Sequence, residues 1–128
     1  GYNLRWILEN YSRDYGFSCD NFRIIGGGAL DDTWMHIIAD ITGKCFSVVK
    51  DPRNAGAVGA AVVALIGLGE LPGFSAAKDF VQVERCYAPD PKNRRVYDHL
   101  FENYKRVYNS LKDTYIKANG QRFKGEEE

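Results

Sequence analysis

Apolar side chains near the start of the chain fall at Leu4, Ile7, Leu8 and Tyr11. Steps of three and four place them on one face of a helix, which the pattern predicts over Tyr2–Tyr15, with a stop near Gly16. Phe22–Ile25, ending in the apolar pair Ile24–Ile25, reads as a short buried strand. Helical spacing returns over Asp31–Ile41, with Trp34, Ile37, Ile38 and Ile41 as its apolar stripe and Gly43 as C-cap. Asp31 and Asp32 lie at its start, where negative charge meets the positive end of the helix dipole. Cys45–Val49 reads as a second strand, closed by a turn at Asp51-Pro52. Alternating strands and helices predict an α/β fold, a small sheet with helices packed on it.

The pattern then changes. Ala55–Leu68 is apolar all round and carries no charge, yet is shorter than the roughly 20 residues a membrane-spanning helix needs. A buried core helix is expected. Gly56, Gly59 and Gly67 each cost it about 1 kcal/mol relative to alanine, a penalty that close packing of another backbone would explain. Gly59 and Ala60 also stand where they could border a ligand cleft. Gly69–Asn93 has no clear period and is punctuated by Pro72-Gly73 and Pro89-Asp90-Pro91. A long amphipathic helix follows over Arg94–Ala118, with Tyr97, Phe101, Tyr104, Tyr108, Leu111 and Tyr115 on the face to be docked and basic residues largely elsewhere. The acidic tail, Gly120–Glu128, is expected to be disordered.

Composition narrows the function classes. Seventeen basic residues balance 17 acidic ones, so the chain lacks the excess of Lys and Arg that nucleic-acid backbones demand. Cys19, Cys45 and Cys86 are odd in number and far apart, and with only His36 and His99 beside them no zinc-site spacing arises. Free thiols in a reducing cytoplasm are expected. The N-terminus has no basic-then-apolar layout of a secretion signal, and no membrane partner is expected.

The chemistry concentrates at Gly26, Gly27, Gly28 and Ala29, between the first strand and the Asp31 helix. Amides without a neighbouring Cβ approach a ligand closely, and a helix N-terminus favours phosphate, so a nucleotide is the ligand to suspect. A dinucleotide fingerprint is excluded by spacing: G-x-G-x-x-G would need glycine where Asp31 stands.

Beyond the turn comes a spaced series: GGGA, four residues, Trp34, four residues, Ala39-Asp40, two residues, Gly43-Lys44, then CFSVV, Asn54 and AGAVGAAVVALIGLG. It resembles the nucleotide-binding half of the C-terminal domain of the FGGY carbohydrate kinases, most closely the xylulokinase branch, from about Tyr2 to Asn119. The resemblance implies part of an actin-like, ribonuclease-H-like ATPase domain within an ATP- and Mg²⁺-dependent kinase of a pentulose such as xylulose. It sets Gly26, Gly27, Gly28 and Ala29 beside the ribose and α-phosphate, with Gly28 and Ala29 most directly assigned. Asp32 stands where some members carry an asparagine that meets adenine, and a carboxylate there accepts a hydrogen bond but cannot donate one. His36 departs from the glutamine common at its position. In the family the sugar pocket, a first phosphate-binding turn and the catalytic base all precede the part resembled here. No catalytic residue or metal ligand is therefore assigned, the chain alone is expected to be inactive, and its uncovered apolar surface makes a homo-oligomer an expected partner state. The alternative is a non-catalytic interaction module whose glycine turn binds no nucleotide.

Overall fold

In a computed structural model, residues 1–120 are described. Four helices and three strands follow in the order α1 (Tyr2–Tyr15), β1 (Asn21–Ile24), α2 (Asp32–Thr42), β2 (Cys45–Val49), α3 (Ala55–Gly67), β3 (Val83–Tyr87) and α4 (Arg94–Gly120). The expected α/β class is borne out: β1 and β2 run parallel across the α2 crossover, and β3 adds antiparallel to the other side of β2. Phe22 is level with Phe46, which is level with Tyr87, so one row of aromatic side chains crosses the sheet.

Central strand β2 has neighbours on both edges, and its residues Phe46 to Val49 are all buried. Their Phe, Val and β-branched character suits a strand covered on both faces. The core joins Phe46, Val48 and Tyr87 to Met35, Ile38 and Ala39 of α2 and to Ala29, with Leu4, Phe22 and Ile24 packed against it. Helix α2 is capped at both ends: the Asp31 carboxylate accepts from the Trp34 amide at 2.9 Å, and Gly43 turns the chain at φ 68°. The positive φ at Gly43 favours glycine there, and a Cβ would also press on the mobile end of Arg94.

Several expectations are corrected. Strand β1 covers Asn21–Ile24, alternates between exposed and half-buried positions, and leaves Ile25 57% exposed. Trp34 is 40% exposed, while Met35 takes the core position and Asp40 and Thr42 are buried beside Ile38 and Ile41. The α2 stripe is thus rotated by one residue from its most hydrophobic reading, because the helix must present Asp40 as well as Ile38 inward. The irregular stretch contains β3, which the sequence did not announce. Among the described residues helix α3 is not buried: only Val62 is, and Cβ atoms added at Gly56, Gly59 or Gly67 would meet nothing within 4 Å, so no close approach of another backbone is seen there. Helix α4 docks through its N-terminal half, out to Tyr108, whose ring meets Trp6 edge-on at 5.1 Å between centres. Phe101 is buried and Tyr97 and Tyr104 are half-buried, whereas Tyr108, Leu111 and Tyr115 are exposed. The expected disordered tail falls, apart from Gly120 at the end of α4, on 121–128, outside the described residues.

Two buried polar side chains fasten the helices. Asp40 accepts from the Asp90 amide and from Asn93 Nδ2, each at 2.7 Å, and thereby fixes the turn that starts α4. Arg5, only 7% exposed, reaches Asp98 at 2.7 Å, Glu9 at 2.9 Å and the Ile41 carbonyl, and its guanidinium lies 4.3 Å from the Phe101 ring centre. Burial opposes charge on Asp98, but hydrogen bonds and charge from Arg5 and Arg94 outweigh it and hold the carboxyl below its ordinary pKa. Every element around α2 is tied to it or to its neighbours.

Candidate functional site

The glycine turn leaves the end of β1, where the sheet gives out. Gly26 takes φ 95°, a conformation closed to most side chains, and its amide donates to the Pro52 carbonyl at 2.7 Å. The chain then coils through one 3₁₀ turn, Gly27–Leu30, with Ala29 donating to the Gly26 carbonyl at 3.2 Å. Pro52 and Gly26 thus tie the end of β1 to the loop after β2. Ala29, 1% exposed, plugs the turn into the core.

Gly27 and Gly28 differ from Gly26. Neither has a positive φ, and a Cβ at either would meet only ordinary contacts, Arg53 Nε at 4.0 Å for Gly27 and the Trp34 indole at 3.7 Å for Gly28. The fold does not require glycine at these two positions. Their amides, first and second in the turn, donate to no backbone carbonyl among the described residues. The start of α2 follows directly, so two free donors and the positive end of a helix dipole share one exposed corner. Such an arrangement can hold an anion or a polar ligand edge. Trp34, displaced from the core, lies beside Gly28 on the same corner.

Asp32, the first residue of α2, is exposed and partnered from the sheet. Its Oδ1 accepts from Arg85 Nη1 at 2.6 Å and from the Tyr87 hydroxyl. The Tyr87 bond is the main reason the Asp32 carboxyl sits below its ordinary pKa; Arg85 adds to it against some desolvation. Reciprocally, the Tyr87 hydroxyl is raised, first by that bond and then by burial. His36, one turn along α2, meets the Tyr87 ring edge-on at 5.0 Å between centres. Arg85 and Tyr87 were not singled out from sequence. The only signal was their i, i+2 spacing in VERCY, which puts two polar-tipped side chains on one face of a strand.

The structure thus places Gly26, Gly27, Gly28 and Ala29 in the turn that leaves β1, and Asp32 at the start of α2, held from β3. Gly59 and Ala60 are on α3, where Gly59 lines an apolar cavity of about 360 Å³ with Ile25, Val49, Val62, Phe74 and Phe80. Asp40 points to the other end of α2, toward Asp90 and Asn93. Among the described residues no cluster of three or more His, Cys, Asp or Glu side chains could hold a metal ion. All three cysteines are free thiols, and no helix among the described residues is long and apolar enough to cross a membrane.

Comparison with known proteins bears on this arrangement. Residues 1–68 match the model of the FGGY family of carbohydrate kinases, C-terminal domain. The chain is 35% identical over 114 residues to the xylulose kinase of Bacillus subtilis (strain 168), a match covering 88% of this chain and 22% of that protein. It is 33% identical over 102 residues to the autoinducer-2 kinase of Salmonella paratyphi A (strain ATCC 9150 / SARB42), covering 79% and 19%. Its fold superposes on the ligand-bound xylulose kinase from Lactobacillus acidophilus with a TM-score of 0.78 at 25% identity, over 91% of this chain and 23% of that one. The chain thus spans about a fifth of the length of these curated relatives, and it has the fold of one part of an actin-like, ribonuclease-H-like sugar-kinase domain. By its sequence match and its architecture, the chain belongs to the FGGY family of carbohydrate kinases, within the family's C-terminal domain.

Proposed function

We propose that this chain is the nucleotide-binding portion of an ATP-dependent sugar kinase whose acceptor is a pentulose such as xylulose. One observation carries the reading: Gly27 and Gly28 are glycines the fold does not need, and their amides are free at the mouth of α2. A ligand whose atoms must lie against the backbone explains both facts. Gly26 sets the turn, Gly27 and Gly28 present donors beside the ribose and α-phosphate, Ala29 anchors the turn to the core, and Asp32 faces the adenine.

Bound ATP supplies the phosphoryl group that a sugar hydroxyl accepts. The contribution of these residues is placement, since phosphoryl transfer depends mainly on aligning donor and acceptor and stabilising charge. The residues present suit the adenosine end of the nucleotide. Among the described residues no group of three or more His, Cys, Asp or Glu side chains gathers to hold the Mg²⁺ expected with it, and no step is routed through it. The sugar pocket and the general base belong to sequence outside this chain, so the chain alone transfers no phosphate. A cytoplasmic location goes with this reading, as does self-association through the exposed apolar surface of α3.

Titration of the chain with ADP, followed through its backbone amide NMR signals, tests the assignment. Selective shifts at Gly26 to Ala29 and Asp32 are the expected outcome. A folded chain whose glycine-turn signals stay still at millimolar ADP would contradict it.

A further inference from the structure

The contacts on Asp32 are lopsided. Arg85 and Tyr87 both converge on Oδ1, while Oδ2 accepts from no group among the described residues. The carboxylate is therefore fixed in direction by one oxygen and open at the other. Both clamping groups come from β3, whose register on β2 places Arg85 opposite Val48 and Tyr87 opposite Phe46. Tyr87 itself is rigid: it is 5% exposed, belongs to the core and has His36 against its ring. A side chain at an exposed helix start ordinarily samples several rotamers, and this one is held by two donors anchored in the sheet.

We propose that Arg85 and Tyr87 are positioning residues that select the base: they aim Oδ2 of Asp32 as a fixed acceptor for the exocyclic amino group of a 6-aminopurine. The proposal rests on the nucleotide reading of the glycine turn and adds to it the source of base preference. An unclamped aspartate would have to give up rotamer freedom on each binding event, and that cost offsets much of one hydrogen bond. A clamped one meets the cost during folding. A base lacking the amino group leaves a charged acceptor facing a carbon and loses the bond outright.

The test compares ADP with purine riboside 5′-diphosphate, which differs by the absence of the 6-amino group, in titrations of the whole chain. Wild-type protein is expected to bind ADP about tenfold more tightly, the yield of one hydrogen bond to a charged group. Tyr87→Phe and Arg85→Gln should each shrink that ratio severalfold while leaving affinity for purine riboside 5′-diphosphate within about twofold, since the glycine turn is untouched. Arg85→Lys, which keeps a cation beside Oδ1, should retain most of the preference. Asp32→Ala should abolish it, and adding Tyr87→Phe to that variant should change the ratio no further, because the tyrosine acts through the aspartate. A merely structural role would lower both affinities together. An unchanged ratio in Tyr87→Phe and Arg85→Gln, or an equal fall for both ligands, would overturn the proposal and leave the nucleotide reading standing. Wild-type protein that binds neither ligand would overturn the nucleotide reading and this proposal with it.

Discussion

Helices α2 and α3 each follow a strand and a turn, and α3 is the more apolar of the two, yet α2 is the one that is buried. Helix α2 carries two aspartates, a histidine and two threonines, but packs against the sheet on one side and against α1 and α4 on the others. Helix α3 has no charged side chain and packs chiefly on the short 3₁₀ stretch Phe74–Asp79, beside a cavity that Val49 and Val81 also line, leaving Val58 and Val63 exposed with Leu68 just beyond its end. Hydrophobicity states what a segment would gain from burial, whereas neighbours decide whether it is buried. The glycines also differ: at Gly28, before α2, the fold has room for a side chain but the free amide gives a reason to omit one, whereas those within α3 sit in the helix with room around them among the described residues.

The sharpest break in this comparison is core truncation. Met35→Ala should destabilise the chain by about 2–5 kcal/mol, whereas Val63→Ala on α3 should stay within about 0.5 kcal/mol. Urea unfolding with matched slopes would measure both, and similar losses would mean that α3 is covered in solution. Asp40→Ala comes next, at about 1–3 kcal/mol, because the Asp90 amide and the Asn93 side chain lose their acceptor at the α2–α4 junction. Gly28→Val should leave thermal unfolding nearly unchanged but weaken ADP binding by about tenfold, roughly 1.4 kcal/mol. Equal binding by mutant and parent would remove the turn from the site.

Gly59→Ala should stabilise the chain by up to about 1 kcal/mol, since it restores helix propensity where a Cβ meets nothing. A loss of stability would reveal an unseen neighbour on α3. The smallest effect concerns acid. Asp98 and Asp32 both have pKa values lowered in the folded state, so each adds stability that is complete above the unfolded carboxylate pKa and is lost as pH falls through the folded value. Asp98→Asn should therefore remove a stability increment that is present across the neutral range and vanishes below about pH 4, which flattens the acid limb of a stability–pH profile. Strong dependence at neutral pH would contradict this account.

Much of the frame was legible in the chain. The Tyr2–Tyr15 and Cys45–Val49 boundaries agree with the observed elements, and Gly43 caps α2 as its position suggested. These features depend on local spacing and on glycine's tolerance of positive φ, so a short window of sequence contains their cause. The glycine turn was legible as a candidate for the same reason. Strand β3 was not, because VERCY mixes charge with apolar residues and becomes a strand only by pairing with an edge of β2. Arg85 and Tyr87 were hidden with it, since they lie more than 50 residues from Asp32 in sequence and meet it only through that pairing.

The sequence by itself determined the periodic helices, the two parallel strands, the glycine turn and the family resemblance, all of which rest on short-range geometry and residue chemistry. Tertiary structure alone decided that Met35 and not Trp34 enters the core, that α3 stands exposed, and that Arg5 and Asp40 act as buried fasteners. It also decided that Asp32 is held by the third strand. Burial and polar pairing are properties of assembled surfaces, and no residue determines them until its neighbours are in place.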